Sequence, residues 1–201
     1  MDDHSIVRAG LRGLLSAAGT VEVHEAADGL TALALLRSVR PHLVVLDLNL
    51  PGVSGLELLR RVLVEDRAAR VLVLSMHAEP LYAARAIEAG AKGYLSKNAS
   101  PDELVLAVRR VAEGGHYIEN EIAQDLALQH VSPGPALPQL TVREVEILRL
   151  LADGRSLTEI ADALGLGYKT VANACTGIKA KLGVSRTADL IRYAIEAGVA
   201  A

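Results

Sequence analysis

The chain has 201 residues, 51% hydrophobic and 22% charged, which is enough for one large core or two modest ones and too apolar for global disorder. Five Tyr are its only aromatic residues, so stacking platforms for single-stranded nucleic acid are not expected, and one Cys excludes a disulfide framework or a Cys-based zinc site. The acidic opening Met1-Asp2-Asp3 is the reverse of a signal-peptide start, and no apolar run approaches the roughly 18 residues of a membrane span; a cytoplasmic, soluble protein without membrane attachment is expected.

Along residues 1–131, short apolar runs at 21–24, 43–46, 71–74 and 93–95 read as strands. Segments with apolar residues every three or four positions, at 5–18, 29–39, 54–65, 80–89 and 101–113, read as helices. Ser100-Pro101-Asp102-Glu103 supplies an N-cap, a first-turn Pro and a capping-box Glu for the last of them. Alternating strands and helices predict an α/β fold with a parallel sheet. In the flavodoxin-like order 2-1-3-4-5 the first strand is central, and Met1 stands where that strand would end. Either a start codon lies upstream, or the sheet has a gap in its middle.

Val131 to Gln139 holds three of the seven prolines and no charge, which marks a linker at 131–139 between a first domain, 1–130, and a second, 140–201. Residues 1–131 carry 13 Lys and Arg against 17 Asp and Glu, net −4, whereas 132–201 carry 8 against 7, net +1. The second part is all helix: capping boxes at Thr141-Val142-Arg143-Glu144 and Ser156-Leu157-Thr158-Glu159 open the first two helices, and 168–182 and 187–197 follow. Short helices joined by a Gly-containing turn are a helix-turn-helix.

The run at 43–46 delivers Asp47 to the carboxyl end of its strand, where ligands gather in open α/β sheets. Asp2 and Asp3 stand at the equivalent end of the missing strand, and three crowded carboxylates call for a hard divalent cation such as Mg²⁺. Ser75 closes one later strand and Lys97 follows another, adding a hydroxyl and an ammonium to the same rim. A carboxylate nucleophile, a metal and donors for equatorial oxygens fit phosphoryl chemistry. Singly, each has an ordinary reading as a turn cap, a solvated cation or a backbone-bonded hydroxyl; the combination favours a site. The six His all precede residue 131 and, without paired helical spacing, read as surface or structural residues, although His4 and His77 fall near the rim and could modulate it.

Asp2-Asp3-His4, the segment Asp47-Leu48-Asn49-Leu50-Pro51-Gly52-Val53-Ser54-Gly55, Ser75, and Gly93-Tyr94-Leu95-Ser96-Lys97 resemble the receiver domain of two-component response regulators over about residues 2–128. The resemblance implies that Asp47 accepts a phosphoryl group from a sensor histidine kinase. It implies Mg²⁺ held by Asp2, Asp3, Asp47 and the backbone carbonyl of Asn49, Lys97 and Ser75 on the phosphoryl oxygens, and Tyr94 as an aromatic that swings inward on activation. The chain departs from the family in its absent first strand, and has Asn98 where many receivers have Pro.

In 168–182, Val171, Cys175, Ile178 and Leu182 share one buried stripe, which makes Cys175 a core residue. The opposite face presents Lys169, Asn173, Thr176 and Ala180, flanked by Lys179, and no acid occurs from Ala163 to Ala188. Duplex phosphates favour such a face, with Asn173 and Lys169 able to reach base edges. Leu140 to Leu148, Glu159-Ile160-Ala161, Lys169-Thr170-Val171 and Ile178 to Gly183 resemble the LuxR-type helix-turn-helix over 138–199. The whole chain thus resembles a NarL/FixJ-subfamily response regulator, which implies a transcription regulator rather than an enzyme, binding double-stranded DNA through Lys169, Thr170, Asn173, Thr176, Lys179 and Lys181 and acting as a homodimer when active. Ala172 and Ala174 stand where the family often has Lys and His. Two rivals are a DNA-binding protein independent of phosphorylation, its degenerate receiver serving dimerisation, and an aspartate-nucleophile phosphatase. The second is disfavoured because Asp47-Leu48-Asn49 lacks a second Asp to act as general acid.

Overall fold

The computed structural model describes residues 1–19, 22–50, 55–76, 80–131 and 140–196. The chain divides into two compact units, Met1–Ala127 and Leu128–Ala201. In the first, α1 (Ser5–Ala17) and α2 (Gly29–Val39) precede β1 (Val44–Leu46), α3 (Gly55–Glu65), β2 (Val71–Ser75), α4 (Pro80–Glu88), β3 (Gly93–Ser96), α5 (Pro101–Ala112), β4 (Tyr117–Ile118) and α6 (Asn120–Val131), the last running into the second unit. The sheet is parallel in the order β1-β2-β3-β4, with Leu46 opposite Val73, Ser75 opposite Ser96 and Gly93 opposite Tyr117.

Every residue of β2 and β3 is buried, as expected of parallel strands covered on both faces. One face packs on α5, where Leu72, Leu74 and Leu95 meet Leu104, Ala107, Val111 and Tyr117. Capping fixes the helix starts that matter here. Asp28 accepts from Thr31 N at α2, and Ser100 accepts from Glu103 N at α5. The expected reciprocal bond from Glu103 is replaced by another, because the Tyr117 hydroxyl donates to Glu103 Oε1 at 2.8 Å.

The structure corrects the strand expected at 21–24. Val21 lies outside the described residues, and 22–26 is not a strand. A strand forms only against a neighbour; the one backbone contact recorded for this stretch with residues near β1 is Asp2 N to Ala26 O, 3.1 Å. Beside β1, Met1 takes up a single parallel pairing: its amine donates to Val45 O at 2.9 Å, and Asp47 N donates to Met1 O at 3.0 Å. Two elements absent from the sequence reading are β4 and α6. Val131, expected to open the linker, ends α6; the restriction that a proline places on its predecessor begins only at Ser132. The linker's remaining residues, 132–139, lie outside the described residues, as do Pro51 to Ser54, His77 and Ala197.

The second unit holds α7 (Val142–Ala152), α8 (Leu157–Ala163), α9 (Tyr168–Leu182) and α10 (Thr187–Glu196). Both predicted capping boxes form, Thr141 with Glu144 and Ser156 with Glu159. Val145, Leu148, Leu151, Ile160, Val171, Ile178, Leu190 and Ala194 are buried and make its core. Among the described residues no helix is long and apolar enough to cross a membrane.

Candidate functional site

β1 ends at Leu46 and places Asp47 at the carboxyl edge of the sheet, only 1% exposed. Its amide is held by Met1 O, and its Oδ1 accepts from Asn49 N at 3.0 Å, so backbone bonds on both sides fix the carboxylate. Asp2 is equally buried, and its Oδ1 accepts from His4 N at 2.9 Å. Lys97 follows β3, where Lys97 N donates to Ser75 O at 2.7 Å and Ser96 N donates to Glu119 Oε2 at 2.7 Å.

The decisive contact is a bridge. Lys97 Nζ lies 2.7 Å from Asp47 Oδ2 and 2.8 Å from Asp2 Oδ2, with its side chain 8% exposed. Burial pulls the Lys97 ammonium down, but its bonds to Asp2 and Asp47 outweigh that and hold its pKa above the usual lysine value. One cation is therefore shared by two buried acids and offsets only one of their charges, and Asp3 adds a third carboxylate nearby. Ligand atoms of Asp2, Asp3, His4 and Asp47 all fall within 4.8 Å of one another. Three carboxylates beside one ammonium are an excess of negative charge that fits a hard divalent cation with oxygen ligands.

The structure brings Asp2, Asp3 and Asp47 together with Lys97, as the sequence predicted. Ser75 is fully buried at the end of β2. Tyr94 is also fully buried, between Val73 and Ile118 in the sheet; in this state the ring is already inside, so the expected inward swing has no outer starting point here. Sequence reasoning missed Met1 O and Glu119 as backbone anchors; His4, expected near the rim, lies with its Nδ1 2.7 Å from Asp3 Oδ1.

In the second unit, α9 buries Val171, Cys175 and Ile178 as predicted, while Leu182 is only half-buried. Lys169, Thr170, Asn173 and Thr176 are exposed, and Lys179 is half-buried. The Thr176 hydroxyl donates to Ala172 O at 3.1 Å. Lys181 is exposed and pairs with an acid: Nζ lies 2.6 Å from Glu144 Oε2 and 2.8 Å from Oε1, tying α9 to the start of α7. It sits on the flank of α9 nearer the α7 packing face, which the stripe argument did not resolve. Gly167 caps α9 without a side-chain bond.

Residues 1–109 match the family "Response regulator receiver domain", and residues 138–194 match "Bacterial regulatory proteins, luxR family". The chain belongs to the response regulators. Specifically, it is a response regulator with a LuxR-type DNA-binding domain, a class of transcription regulators that is generally not enzymatic. The transcriptional activator protein ExaE of Pseudomonas putida is 42% identical over 204 residues, covering 99% of this chain and 95% of that protein. The crystal structure of a LuxR-family two-component response regulator from Aurantimonas sp. SI85-9A1 is 42% identical, with a TM-score of 0.63, over 65% of this chain and 94% of that one. RcsB from Salmonella enterica serovar Typhimurium, solved bound to promoter rprA in the presence of the phosphomimetic BeF3⁻, is 27% identical with a TM-score of 0.62, over 96% and 94%. In this response regulator the acidic cluster at the carboxyl edge of the sheet belongs to the receiver unit, and α9 to the DNA-binding unit.

Proposed function

We propose that Asp47 is the phosphoacceptor of a transcription switch, charged by the phosphohistidine of a sensor histidine kinase. The observation that carries this reading is the bridge from Lys97 Nζ to Asp47 Oδ2 and Asp2 Oδ2. An Asp47 carboxylate oxygen attacks phosphorus, the phosphorus–nitrogen bond breaks, and the imidazole leaves. The product carries roughly −1.5 to −2 charges at the strand end, where the carboxylate carried one. Asp2, Asp3, Asp47 and the Asn49 carbonyl would hold Mg²⁺, which when bound neutralises charge developing on the phosphoryl oxygens. Lys97 keeps its ammonium beside the acceptor, and the Ser75 hydroxyl supplies a second donor. Tyr94, already inside, would hold the activated packing as Ser75 turns to the phosphoryl group.

The proposed division of labour assigns 1–130 to reception, 131–139 to linkage and 140–201 to DNA. Lys169, Thr170, Asn173 and Thr176, exposed on α9, would face the duplex, with Lys179 on its edge. The RcsB complex with promoter DNA supports double-stranded DNA as partner, and a homodimer would present two such helices to two half-sites. The site of action would be the cytoplasm, where kinase and DNA are both in reach.

The test is incubation with acetyl phosphate and Mg²⁺ followed by intact-mass measurement. The wild type is expected to gain one phosphoryl group that Asp47→Ala does not, together with tighter operator binding. Operator binding indifferent to both treatment and variant would favour the phosphorylation-independent reading. No mass gain in the wild type would overturn the switch.

A further inference from the structure

We propose that Glu119 is a positioning residue for Lys97: its carboxylate pins the turn that carries the ammonium, and so sets the rate at which Asp47 takes up a phosphoryl group. The inference rests on the reading of Asp47 given above.

The backbone explains why a side chain is used here. In the parallel ladder of β3 and β4, Tyr117 N donates to Lys92 O at 3.1 Å and Glu119 N to Tyr94 O at 3.2 Å. The same spacing makes Glu119 O the next acceptor, opposite Ser96 N. That oxygen is already engaged, because Ala123 N donates to it at 2.9 Å and opens the first turn of α6. The Glu119 carboxylate takes its place: Ser96 N donates to Oε2 at 2.7 Å, a length proper to a charge-assisted bond. Ser96 is only 3% exposed, so its amide would be buried and unsatisfied without that acceptor.

Successive amides of a strand point to opposite edges. Lys97 N therefore faces β2 and donates to Ser75 O at 2.7 Å, and the backbone at Ser96-Lys97 is held from both neighbouring strands. A lysine needs that support. Its flexible four-carbon stem can keep Nζ between Asp47 Oδ2 and Asp2 Oδ2, at 2.7 and 2.8 Å, only from a fixed Cα. Glu103, the other acid lining the cavity beside Ser96 and Glu119, accepts from the Tyr117 hydroxyl instead. β4 thus makes two side-chain bonds, and only one of them reaches the Lys97 turn.

The experiment follows phosphoryl gain by intact mass in the full chain with acetyl phosphate and Mg²⁺, and the Ser96 and Lys97 amide resonances of the unphosphorylated chain by NMR. Glu119→Ala is expected to slow acceptance roughly tenfold, to shift both amides and to hasten hydrogen exchange at Ser96. Glu119→Gln keeps a carbonyl oxygen for Ser96 N and should restore most of the rate. Tyr117→Phe cuts only the neighbouring bond and should leave the rate unchanged. A wild-type rate in Glu119→Ala would overturn the proposal, as would a Glu119→Gln variant equally slow, or a Tyr117→Phe variant slowed as much by a general loosening of β4. If the wild type gains no phosphoryl group, the phosphoacceptor reading fails and the Lys97 amide decides on Glu119: a resonance displaced in Glu119→Ala supports the positioning role, and an unmoved one overturns it.

Discussion

Lys97 Nζ sits 2.7 Å from Asp47 Oδ2 while its own backbone amide is held by Ser75 O, also at 2.7 Å. The end of β2 thus fixes the backbone of the residue whose ammonium neutralises the acceptor at the end of β1, and three successive strands converge on one charge balance. Burying Asp2 and Asp47 is tolerable only because that ammonium lies between them. Removing one partner of a buried ion pair typically costs about 3 kcal/mol. Lys97→Met is therefore expected to lower the stability of the receiver unit by that order. Urea unfolding of the full chain, followed with and without Mg²⁺, checks it; Mg²⁺ should restore more stability to the variant than it adds to the wild type.

Gly55 opens α3 against the backbone that carries the acceptor. A Cβ there would lie 2.3 Å from Leu48 Cα and 2.6 Å from Leu48 O, and Gly55 N donates to that same oxygen at 3.1 Å. No side-chain rotation relieves a clash with backbone, so Gly55→Ala must displace Leu48, the neighbour of Asp47. A loss of about 2–3 kcal/mol is expected, with slower phosphoryl acceptance. Gly10 provides the contrast. It lies inside α1 with nothing within 4 Å of an added Cβ, so Gly10→Ala should stabilise by up to about 1 kcal/mol. Thermal melts of the two variants should shift in opposite directions.

What was legible in the sequence was whatever had a local cause. Apolar runs at 43–46, 71–74 and 93–95 became β1, β2 and β3 because a strand buried on both faces needs uninterrupted apolar residues. Thr141, Ser156 and Ser100 capped the helices they were expected to cap. The failures depended on partners remote in the chain. β4 is two residues long and is a strand only because Tyr117 stands opposite Gly93, and 22–24 is not a strand although the short run at 21–24 read as one. At the site, residue types and strand ends pointed to Asp47, Asp2, Asp3 and Lys97, whereas Glu119 holding Ser96 N and Lys181 pairing with Glu144 have no signature in spacing.

The Lys181 pairing makes a prediction that separates two lysines of one helix. Lys169 is exposed near the start of α9, so Lys169→Ala should reduce the salt slope of DNA binding by about one unit. Lys181→Ala should leave that slope nearly unchanged and instead cost the helical unit about 1 kcal/mol or less. Burial raises the Glu144 carboxyl, but the Lys181 ammonium and the Thr141 bonds prevail and hold its pKa below the ordinary value of 4.5. A depressed folded-state pKa contributes stability above pH 4.5 that is lost as pH falls through the folded value, so the penalty of Lys181→Ala should shrink on acidification. Operator titrations at several salt concentrations and denaturation at pH 7 and below 4.5 measure the two effects.

Tyr117 reports on the opposite edge of the sheet through an alkaline titration. Burial, then the bond and charge of Glu103, push its phenol from the ordinary 10.0 up to about 12. A folded pKa above the unfolded one means that the stabilisation is complete below pH 10 and disappears as pH rises toward 12. Ultraviolet titration of the folded protein should show one tyrosine ionising near pH 12 that is missing from Tyr117→Phe. The ring of the variant still packs with Leu72, Leu95, Leu104 and Val111, so only the hydroxyl bond to Glu103 is lost, about 1 kcal/mol at neutral pH. That difference should close as pH climbs through the interval from 10 to 12, because the wild-type phenolate would then face the Glu103 carboxylate with no proton to share. A stability gap that stays constant over the interval would show that the hydroxyl of Tyr117 does not carry the coupling between β4 and the first turn of α5.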